Sequence, residues 1–132
     1  MAETPKRFLL VDDDVLNNVL TKMILKKSFD KVHINVFNVA EDGLEFMKTE
    51  PINKSSEGKT TLFLDINMPT ISAWDYLAAF DSFDASIKEQ YDIYILSSSV
   101  DPKDINRAKE NPLVADFIEK PINKDKLIKM FG

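Results

Sequence analysis

The feature that most constrains the fold is a short apolar segment, Thr61–Leu64, that ends abruptly on the acidic residue Asp65. Polar residues precede the segment and Met68-Pro69 follows it, a pattern typical of a strand buried on both faces of a sheet. In open α/β sheets, ligands bind at the carboxyl ends of the strands. Asp65 therefore either faces a ligand site or, more simply, serves as a turn or helix-capping residue.

Four more segments have the character of strands, and five have the periodicity of helices. The predicted strands are Phe8–Val11, Val32–Phe37, Ile93–Leu96 and Val114–Ile118. The predicted helices are Val15–Phe29, Ala40–Met47, Ser72–Phe83, Pro102–Glu110 and Asn123–Met130. Residues 50–60 are rich in Ser, Pro, Gly and charged residues and are predicted to form a loop. Five strands alternating with five helices predict an α/β fold with one parallel sheet, covered on both faces through right-handed crossovers.

The first predicted helix has an amphipathic pattern. Seven apolar residues recur at steps of three and four: Val15, Leu16, Val19, Leu20, Met23, Ile24 and Leu25. Three lysines, Lys22, Lys26 and Lys27, are predicted to lie on the opposite side. An acidic run precedes the helix, and its last member, Asp14, is a candidate for the capping position.

Length and composition restrict the class of protein. A chain of 132 residues is about one domain, so residues 1–132 are predicted to form a single unit. The net charge of −5 offers no clustered basic face for nucleic acid. The absence of cysteine, of a secretory signal and of a membrane-length apolar run predicts a protein of the cytoplasm.

Polar side chains follow four of the five predicted strands: Asp12 and Asp13, Asp65, Ser97, and Lys120. Because the strands are parallel, these residues are predicted to meet at one edge of the sheet. Three neighbouring carboxylates repel one another unless a cation compensates, and an oxygen-only ligand set without cysteine favours Mg²⁺. A metal, a lysine and a hydroxyl around one carboxylate would neutralise the oxygens of a phosphoryl group transferred onto Asp65.

The chain resembles the receiver domain of two-component response regulators. Four motifs in the family's order carry the resemblance: Leu9-Leu10-Val11-Asp12-Asp13, Asp65-Ile66-Asn67-Met68-Pro69, Ile95-Leu96-Ser97-Ser98 and Lys120-Pro121. The resemblance implies a doubly wound, flavodoxin-like (βα)5 fold with strand order 2-1-3-4-5. This order is a known example of the doubly wound class and is taken from the family, not from the sequence. It also implies a single receiver domain with no output domain.

The same resemblance implies a role for each site residue. Asp65 would be the phosphoacceptor, and Ser97 and Lys120 would contact the phosphoryl group. Mg²⁺ would be held by Asp12, Asp13, Asp65 and the main-chain carbonyl of Asn67. Ser97 and Phe117 would form the switch that responds to phosphorylation, and the Lys120-Pro121 peptide would be cis.

Two positions depart from the family pattern. Ala73 occupies a loop position where the family usually has glycine, so a turn that would tolerate a positive φ must be built differently or carry strain. The 50–60 loop is also long for the family.

The resemblance implies protein partners and little enzymatic activity. The phosphoryl donor would be a histidine kinase or a histidine phosphotransfer protein, and the output would be contact with a downstream protein through Ile105, Val114 and Phe117. A phosphorylation-dependent dimer stays open. The protein would not be an enzyme, apart from phosphorylating itself from a donor and slowly losing the phosphate.

Two alternatives come from other functional classes. Asp12 and Asp14 after an apolar strand look like the start of the nucleophile motif of haloacid-dehalogenase-like phosphatases. Beyond Lys120, however, only Asp125 remains of the further acidic pair that those enzymes need. The second alternative is a receiver-like scaffold that binds partners without phosphorylation, and the intact set of acidic residues, Ser97 and Lys120 argues against it.

Overall fold

Five parallel strands form a single sheet at the centre of the computed structural model, which describes residues 6–49, 59–66, 68, 70–98, 101–120 and 122–132. The strands are β1 (Lys6–Val11), β2 (Val32–Phe37), β3 (Thr60–Asp65), β4 (Tyr91–Ser97) and β5 (Val114–Glu119). Their order across the sheet is β2-β1-β3-β4-β5. All four neighbouring pairs are parallel, which confirms the predicted doubly wound order.

Helices connect the strands. They are α1 (Val15–Ser28), α2 (Ala40–Thr49), α3 (Ala73–Asp81), α4 (Ala85–Lys88), α5 (Pro102–Glu110) and α6 (Lys124–Phe131). The sequence predicted five helices, and the count was wrong because α4 is a single turn, too short to show a helical period. The Asp84 side chain caps α4 by accepting a hydrogen bond from the Ser86 main-chain N–H. Of the predicted 50–60 loop, residues 50–58 lie outside the described ranges.

The sheet is buried on both faces, as its continuous apolar strands require. Along β1, Phe8 and Leu10 belong to one core cluster, whereas Leu9 and Val11 belong to the other. The first cluster also contains Leu25 of α1 and Leu127 of α6. The second includes residues of α2, α3 and α5.

Helix α1 forms as predicted, but its buried side is not the apolar one. The buried residues are Asn18, Thr21 and Leu25. The exposed residues include Val15, Leu16, Val19, Leu20 and Met23, each between 49% and 68% exposed. An amphipathic surface helix ordinarily turns its apolar side to the core. Here the inward side of the first turns lies over the acidic edge of the sheet, where Asn18 forms hydrogen bonds.

The departure at Ala73 is accommodated without a left-handed turn at this point. Ala73 is the first residue of α3 and is fully buried in the core. Ser72 caps the helix with extended backbone, φ −72° and ψ 158°, and its side chain accepts a hydrogen bond from Asp75 N at 3.1 Å. Of the two outcomes expected at this position, strain or a differently built turn, the chain adopts the differently built turn, with an extended Ser72 followed by a helical Ala73.

Candidate functional site

Three carboxylates converge at the carboxyl edge of the sheet. Asp12 follows β1 directly, and Asp65 is the last residue of β3. Strands β1 and β3 are neighbours, with Val11 beside Leu64. The residues that follow these two, Asp12 and Asp65, therefore lie side by side. One oxygen from each of Asp12, Asp13 and Asp65 lies within 4.8 Å of the others. Asp12 and Asp65 are only 5% and 7% exposed, whereas Asp13 is exposed.

Lys120 supplies a positive charge to this edge. Its ammonium Nζ lies 2.8 Å from Asp12 Oδ2 and 3.3 Å from Asp65 Oδ1. Burial lowers the pKa of Lys120, but the hydrogen bond to Asp12 and the charges of Asp12 and Asp65 raise it more, so the net shift is upward. The lysine therefore stays protonated, and two carboxylates, Asp12 and Asp65, share its ammonium.

Ser97 lies next to this group, at the end of β4. It is fully buried. Asp65 pairs with Leu96 across the sheet, so Ser97 is one residue beyond the level of Asp65. Its carbonyl accepts a hydrogen bond from the main-chain N–H of Lys120 at 2.9 Å. The ends of β4 and β5 are thus tied together immediately beside the carboxylates.

Two asparagines that the sequence reasoning missed hold Asp12 in place. Asn17 Nδ2 donates to Asp12 Oδ2 at 2.8 Å, and Asn18 Nδ2 donates to the Asp12 main-chain carbonyl at 2.7 Å. The same amide nitrogen of Asn18 donates to Asn38 Oδ1 at 2.8 Å. In the sequence, the only signal of these asparagines is that they interrupt the apolar pattern of α1. Their role can be recognised only when it is known that α1 begins close to Asp12 and brings its first turn against this residue.

Asp14 is set apart from the carboxylate group. Its side chain caps α1 by accepting a hydrogen bond from Asn17 N at 3.1 Å, and its main-chain N–H donates to Asp12 Oδ1 at 2.9 Å. The three-carboxylate group contains Asp13 and not Asp14. The capping role considered for Asp14 is therefore the one that the contacts show.

Phe117 lies farther from the carboxylates, on the last strand. It sits beside Ile95 in the β4–β5 pair and is partly buried against the core cluster of the α2, α3 and α5 side. Together with Ile105 and Met130 it borders an open groove of about 640 Å³. The ring is thus partly exposed, and Phe117 precedes Lys120 by three residues; its role in a switch stays a prediction.

Some predicted features lie outside the described residues. These are the main-chain carbonyl of Asn67 as a metal ligand, the cis peptide before Pro121, and the residues Pro69 and Ser99.

The residues present fit a hard divalent cation. Their donors are carboxylate oxygens, which Mg²⁺ prefers. Mg²⁺ bonds of about 2.1 Å place opposite ligand oxygens roughly 4.2 Å apart, so small side-chain rotations would bring oxygens now 4.8 Å apart or less onto one ion. The three carboxylates carry more negative charge than Lys120 balances, which favours a cation further.

Comparison with known proteins identifies the family. The family model described as the response regulator receiver domain matches residues 8–132. The chain belongs to this family. The receiver family acts in two-component signalling, and its members generally bind Mg²⁺ at an acidic cluster of this kind. Membership also removes the support for the haloacid-dehalogenase alternative, which had relied on Asp12 and Asp14.

Solved receiver structures share the fold. A response regulator receiver protein from Dyadobacter fermentans is 22% identical with a TM-score of 0.82, over 96% of this chain and 98% of that one. A two-component response regulator from Cytophaga hutchinsonii is 24% identical with a TM-score of 0.82, over 98% and 96%. A CheY-like receiver domain protein from Methanospirillum hungatei is 22% identical with a TM-score of 0.73, over 96% and 90%.

No curated protein sequence matches the chain. Among the residues that the structure describes, no helix is long and apolar enough to cross a membrane.

Proposed function

We propose that this receiver domain accepts a phosphoryl group on the carboxylate of Asp65 from a phosphohistidine of a histidine kinase or histidine phosphotransfer protein. The observation that carries the proposal is the position of Asp65, buried at the end of β3, 3.3 Å from the ammonium of Lys120 and within 4.8 Å of carboxylate oxygens of Asp12 and Asp13. In the transfer, an Asp65 oxygen bonds to phosphorus while the bond from phosphorus to the histidine nitrogen breaks, and that nitrogen keeps the electron pair.

The neighbouring residues suit distinct roles in this transfer. The Asp12 oxygens are fixed by Asp14 N, Asn17 Nδ2 and Lys120 Nζ, which favours a positioning and ligand role over nucleophilic attack. Asp12 and Asp13, with Asp65 and the Asn67 carbonyl, would hold Mg²⁺. When bound, this ion supplies positive charge to the phosphoryl oxygens. Lys120 would turn its ammonium from Asp65 to the transferred group, and the Ser97 hydroxyl would donate to it.

Labelling from a small phosphodonor tests the acceptor. Incubation with acetyl phosphate and Mg²⁺ should produce a base-labile, hydroxylamine-sensitive acyl phosphate that peptide mapping places on Asp65. The Asp65→Asn variant should remain unlabelled, and Asp14→Asn, a matched control at an exposed aspartate outside the carboxylate group, should label like the unmodified protein. Label on Asp12 would contradict the proposal. Continuous release of phosphate through many turnovers would favour a phosphatase over a signalling protein.

We also propose that phosphorylation changes a protein-binding surface around Ile105, Val114 and Phe117. The proposal is supported by the Lys120 N–H to Ser97 carbonyl bond and by the Ile95–Phe117 pairing, which place Phe117 on the strand that leads to Lys120 and beside the strand that ends at Ser97. The groove beside this ring has an apolar lining from Ile105 and Met130, suited to a downstream protein of the cytoplasm. Dimer formation through this face on phosphorylation is a further outcome of the same switch.

The switch can be measured in solution by NMR of the phenylalanine rings. Adding beryllofluoride and Mg²⁺, which mimic the phosphoryl group, should shift the Phe117 ring signals, and Ser97→Ala should reduce that shift severalfold. Asp65→Asn should abolish it. If Phe117 signals stay unchanged while the Asp65 environment responds, the domain binds partners as a scaffold that phosphorylation does not regulate.

A further inference from the structure

A small cavity lies on the inner side of the carboxylates, between α1 and the sheet. Its lining is apolar on the side of the sheet and polar on the other sides. The polar residues are Asp12, Asp65, Asn17, Asn18 and Thr21. The exposed Asp13 is not among the described residues that line it, so the cavity is separate from the outer side of the carboxylate group.

Thr21 places a hydroxyl at this cavity. The residue is only 4% exposed, and none of the described residues forms a hydrogen bond with its side chain. A serine or threonine hydroxyl in a helix can donate to the carbonyl four residues earlier, as Ser28 of the same helix does to Ile24 at 2.7 Å. Thr21 forms no such bond with Asn17. Because a hydroxyl buried without a partner is unfavourable, and valine would fill the same space, the hydroxyl of Thr21 indicates a partner in the cavity.

Asn18, three residues earlier on the same side of α1, contributes an amide oxygen to the same lining. Its amide nitrogen donates to the Asp12 carbonyl at 2.7 Å and to Asn38 Oδ1 at 2.8 Å, which uses both of its hydrogens. Among the described residues, none donates a hydrogen bond to Asn18 Oδ1. Asn18 is 3% exposed. Two polar atoms on buried side chains, Thr21 Oγ1 and Asn18 Oδ1, are therefore available to one molecule in the cavity.

The size and chemistry of the cavity select a single water molecule. Its volume is about 10 Å³, which has room for one water and for no larger molecule. Water both donates and accepts hydrogen bonds, so one molecule can satisfy the donor of Thr21 and the acceptor of Asn18. A hard metal ion takes about six oxygen ligands, and the apolar side of the cavity, formed by Leu10, Phe63 and Leu96, cannot complete such a set.

We propose that this cavity binds one structural water molecule that joins α1 to the carboxylates from their inner side. The water accepts a hydrogen bond from Thr21 Oγ1 and donates one to Asn18 Oδ1 and one to the carboxylate pair of Asp12 and Asp65. These are about three partners, the ordinary number for a buried water. The water is bound before any phosphodonor arrives, so the proposal does not rest on phosphoryl transfer to Asp65.

Oxygen-17 magnetic relaxation dispersion tests the proposal, because it counts water molecules that stay bound far longer than surface water, and hydroxyl protons do not interfere with it. The unmodified protein should hold one such water more than Thr21→Val. Thr21→Ser keeps the hydroxyl and should match the unmodified protein. Adding Mg²⁺ should leave these counts unchanged, because the exposed Asp13 places the metal on the outer side of the carboxylates. Equal counts for the unmodified protein and Thr21→Val, or loss of the water on adding Mg²⁺, would overturn the proposal.

Stability provides a second test, because a bridged and an unbridged hydroxyl predict opposite signs for Thr21→Val. Threonine and valine have similar helix propensities, so the substitution reports mainly on the hydroxyl. When water bridges the site, the variant leaves that water and Asn18 Oδ1 short of a partner, and the equilibrium constant for unfolding should rise severalfold. When the hydroxyl has no partner, the variant removes an unfavourable buried polar group, and the constant should fall. An unchanged or lower constant in urea unfolding would overturn the proposal.

The matched control is Thr49→Val on α2, whose hydroxyl donates to the Glu45 carbonyl at 2.8 Å at an exposed position. This variant should hold the same number of long-lived waters as the unmodified protein. A crystal structure should show the water within hydrogen-bonding distance of Thr21 Oγ1, and a Thr21 hydroxyl bonded to the Asn17 carbonyl instead would overturn the proposal. None of these measurements involves phosphoryl transfer, so failure of this proposal is distinguishable from failure of the phosphoacceptor assignment.

Discussion

The ammonium of Lys120 forms an ion pair with Asp12, 2.8 Å from Nζ to Oδ2, across 108 positions of sequence. The side chains of the pair are only 14% and 6% exposed. Asp65, with its side chain 9% exposed, shares the same ammonium at 3.3 Å. One lysine therefore neutralises charge on two carboxylates that the fold holds away from water, and it occupies space that a metal ion would also favour.

Replacing Lys120 should lower stability and strengthen metal binding. In Lys120→Met, Asp12 and Asp65 remain buried without their cation, which should cost about 2–3 kcal/mol of the free energy of unfolding. Mg²⁺ should bind this variant severalfold more tightly, because no ammonium competes for the carboxylates. Urea unfolding with and without Mg²⁺ measures both effects, with Lys129→Met on the exposed side of α6 as the control. Equal stabilisation of the variant and the unmodified protein by Mg²⁺ would contradict the competition.

A comparison of Asp13 with its neighbour Asp14 can separate direct coordination of Mg²⁺ by Asp13 from the general effect of a negative charge near the site. Asp13→Asn should weaken Mg²⁺ binding about tenfold or more, because it removes one carboxylate from the ligand group. Asp14→Asn removes the same charge one residue away and keeps a good helix cap, so it should change the affinity less than about threefold. Isothermal titration calorimetry distinguishes the two, and equal losses would show that only net charge matters.

The sequence was sufficient to predict the sheet and the acidic edge. Each buried strand reads as an apolar run, and the residue that follows a run must lie at the carboxyl edge of a parallel sheet. Asp12, Asp65, Ser97 and Lys120 could therefore be placed together before any coordinates, since their positions follow from strand ends. Their functional roles remain predictions.

The face of α1 could not be predicted in the same way. Periodicity shows that Val15, Leu16 and Val19 share a side of the helix, but it does not show what that side meets. The inward side is set by hydrogen bonds of Asn18 to the Asp12 carbonyl and to Asn38, which is 20 residues away in sequence, and periodicity reveals neither contact. The single turn α4 was missed because its formation depends on one capping side chain, that of Asp84, and not on a repeating pattern of apolar residues.

Asn18 should matter more for stability than its polar character on a helix suggests. Asn18 is 3% exposed and donates to the buried main-chain carbonyl of Asp12 and to Oδ1 of the exposed Asn38. Asn18→Ala would leave the buried carbonyl without this donor and should cost about 1–3 kcal/mol. Asn106→Ala, at an exposed position of α5, should change stability by less than about 0.5 kcal/mol. Urea unfolding compares them. A loss below about 0.5 kcal/mol for Asn18→Ala would show that water replaces the amide.

Tyr76 should make the fold sensitive to alkali. It is fully buried in the core, with its hydroxyl 3.1 Å from Met47 Sδ, and burial raises its pKa above the ordinary value. Below pH about 10 the phenol is neutral in both the folded and unfolded states, so its contribution to stability is constant. As the pH rises past that value, only the unfolded chain releases the proton, and stability falls by about 1.4 kcal/mol per pH unit.

The Tyr76→Phe variant should remove that loss, because a phenylalanine ring fills the same space without an ionisable group. The difference in unfolding free energy between variant and unmodified protein should shift in favour of the variant by about 1 kcal/mol between pH 9 and pH 11. Other groups titrate in both proteins and cancel in this difference. Tyr94→Phe, at a partly buried ring, is the control and should show a smaller shift. Parallel stability curves for Tyr76→Phe and the unmodified protein would mean that the Tyr76 phenol ionises without unfolding.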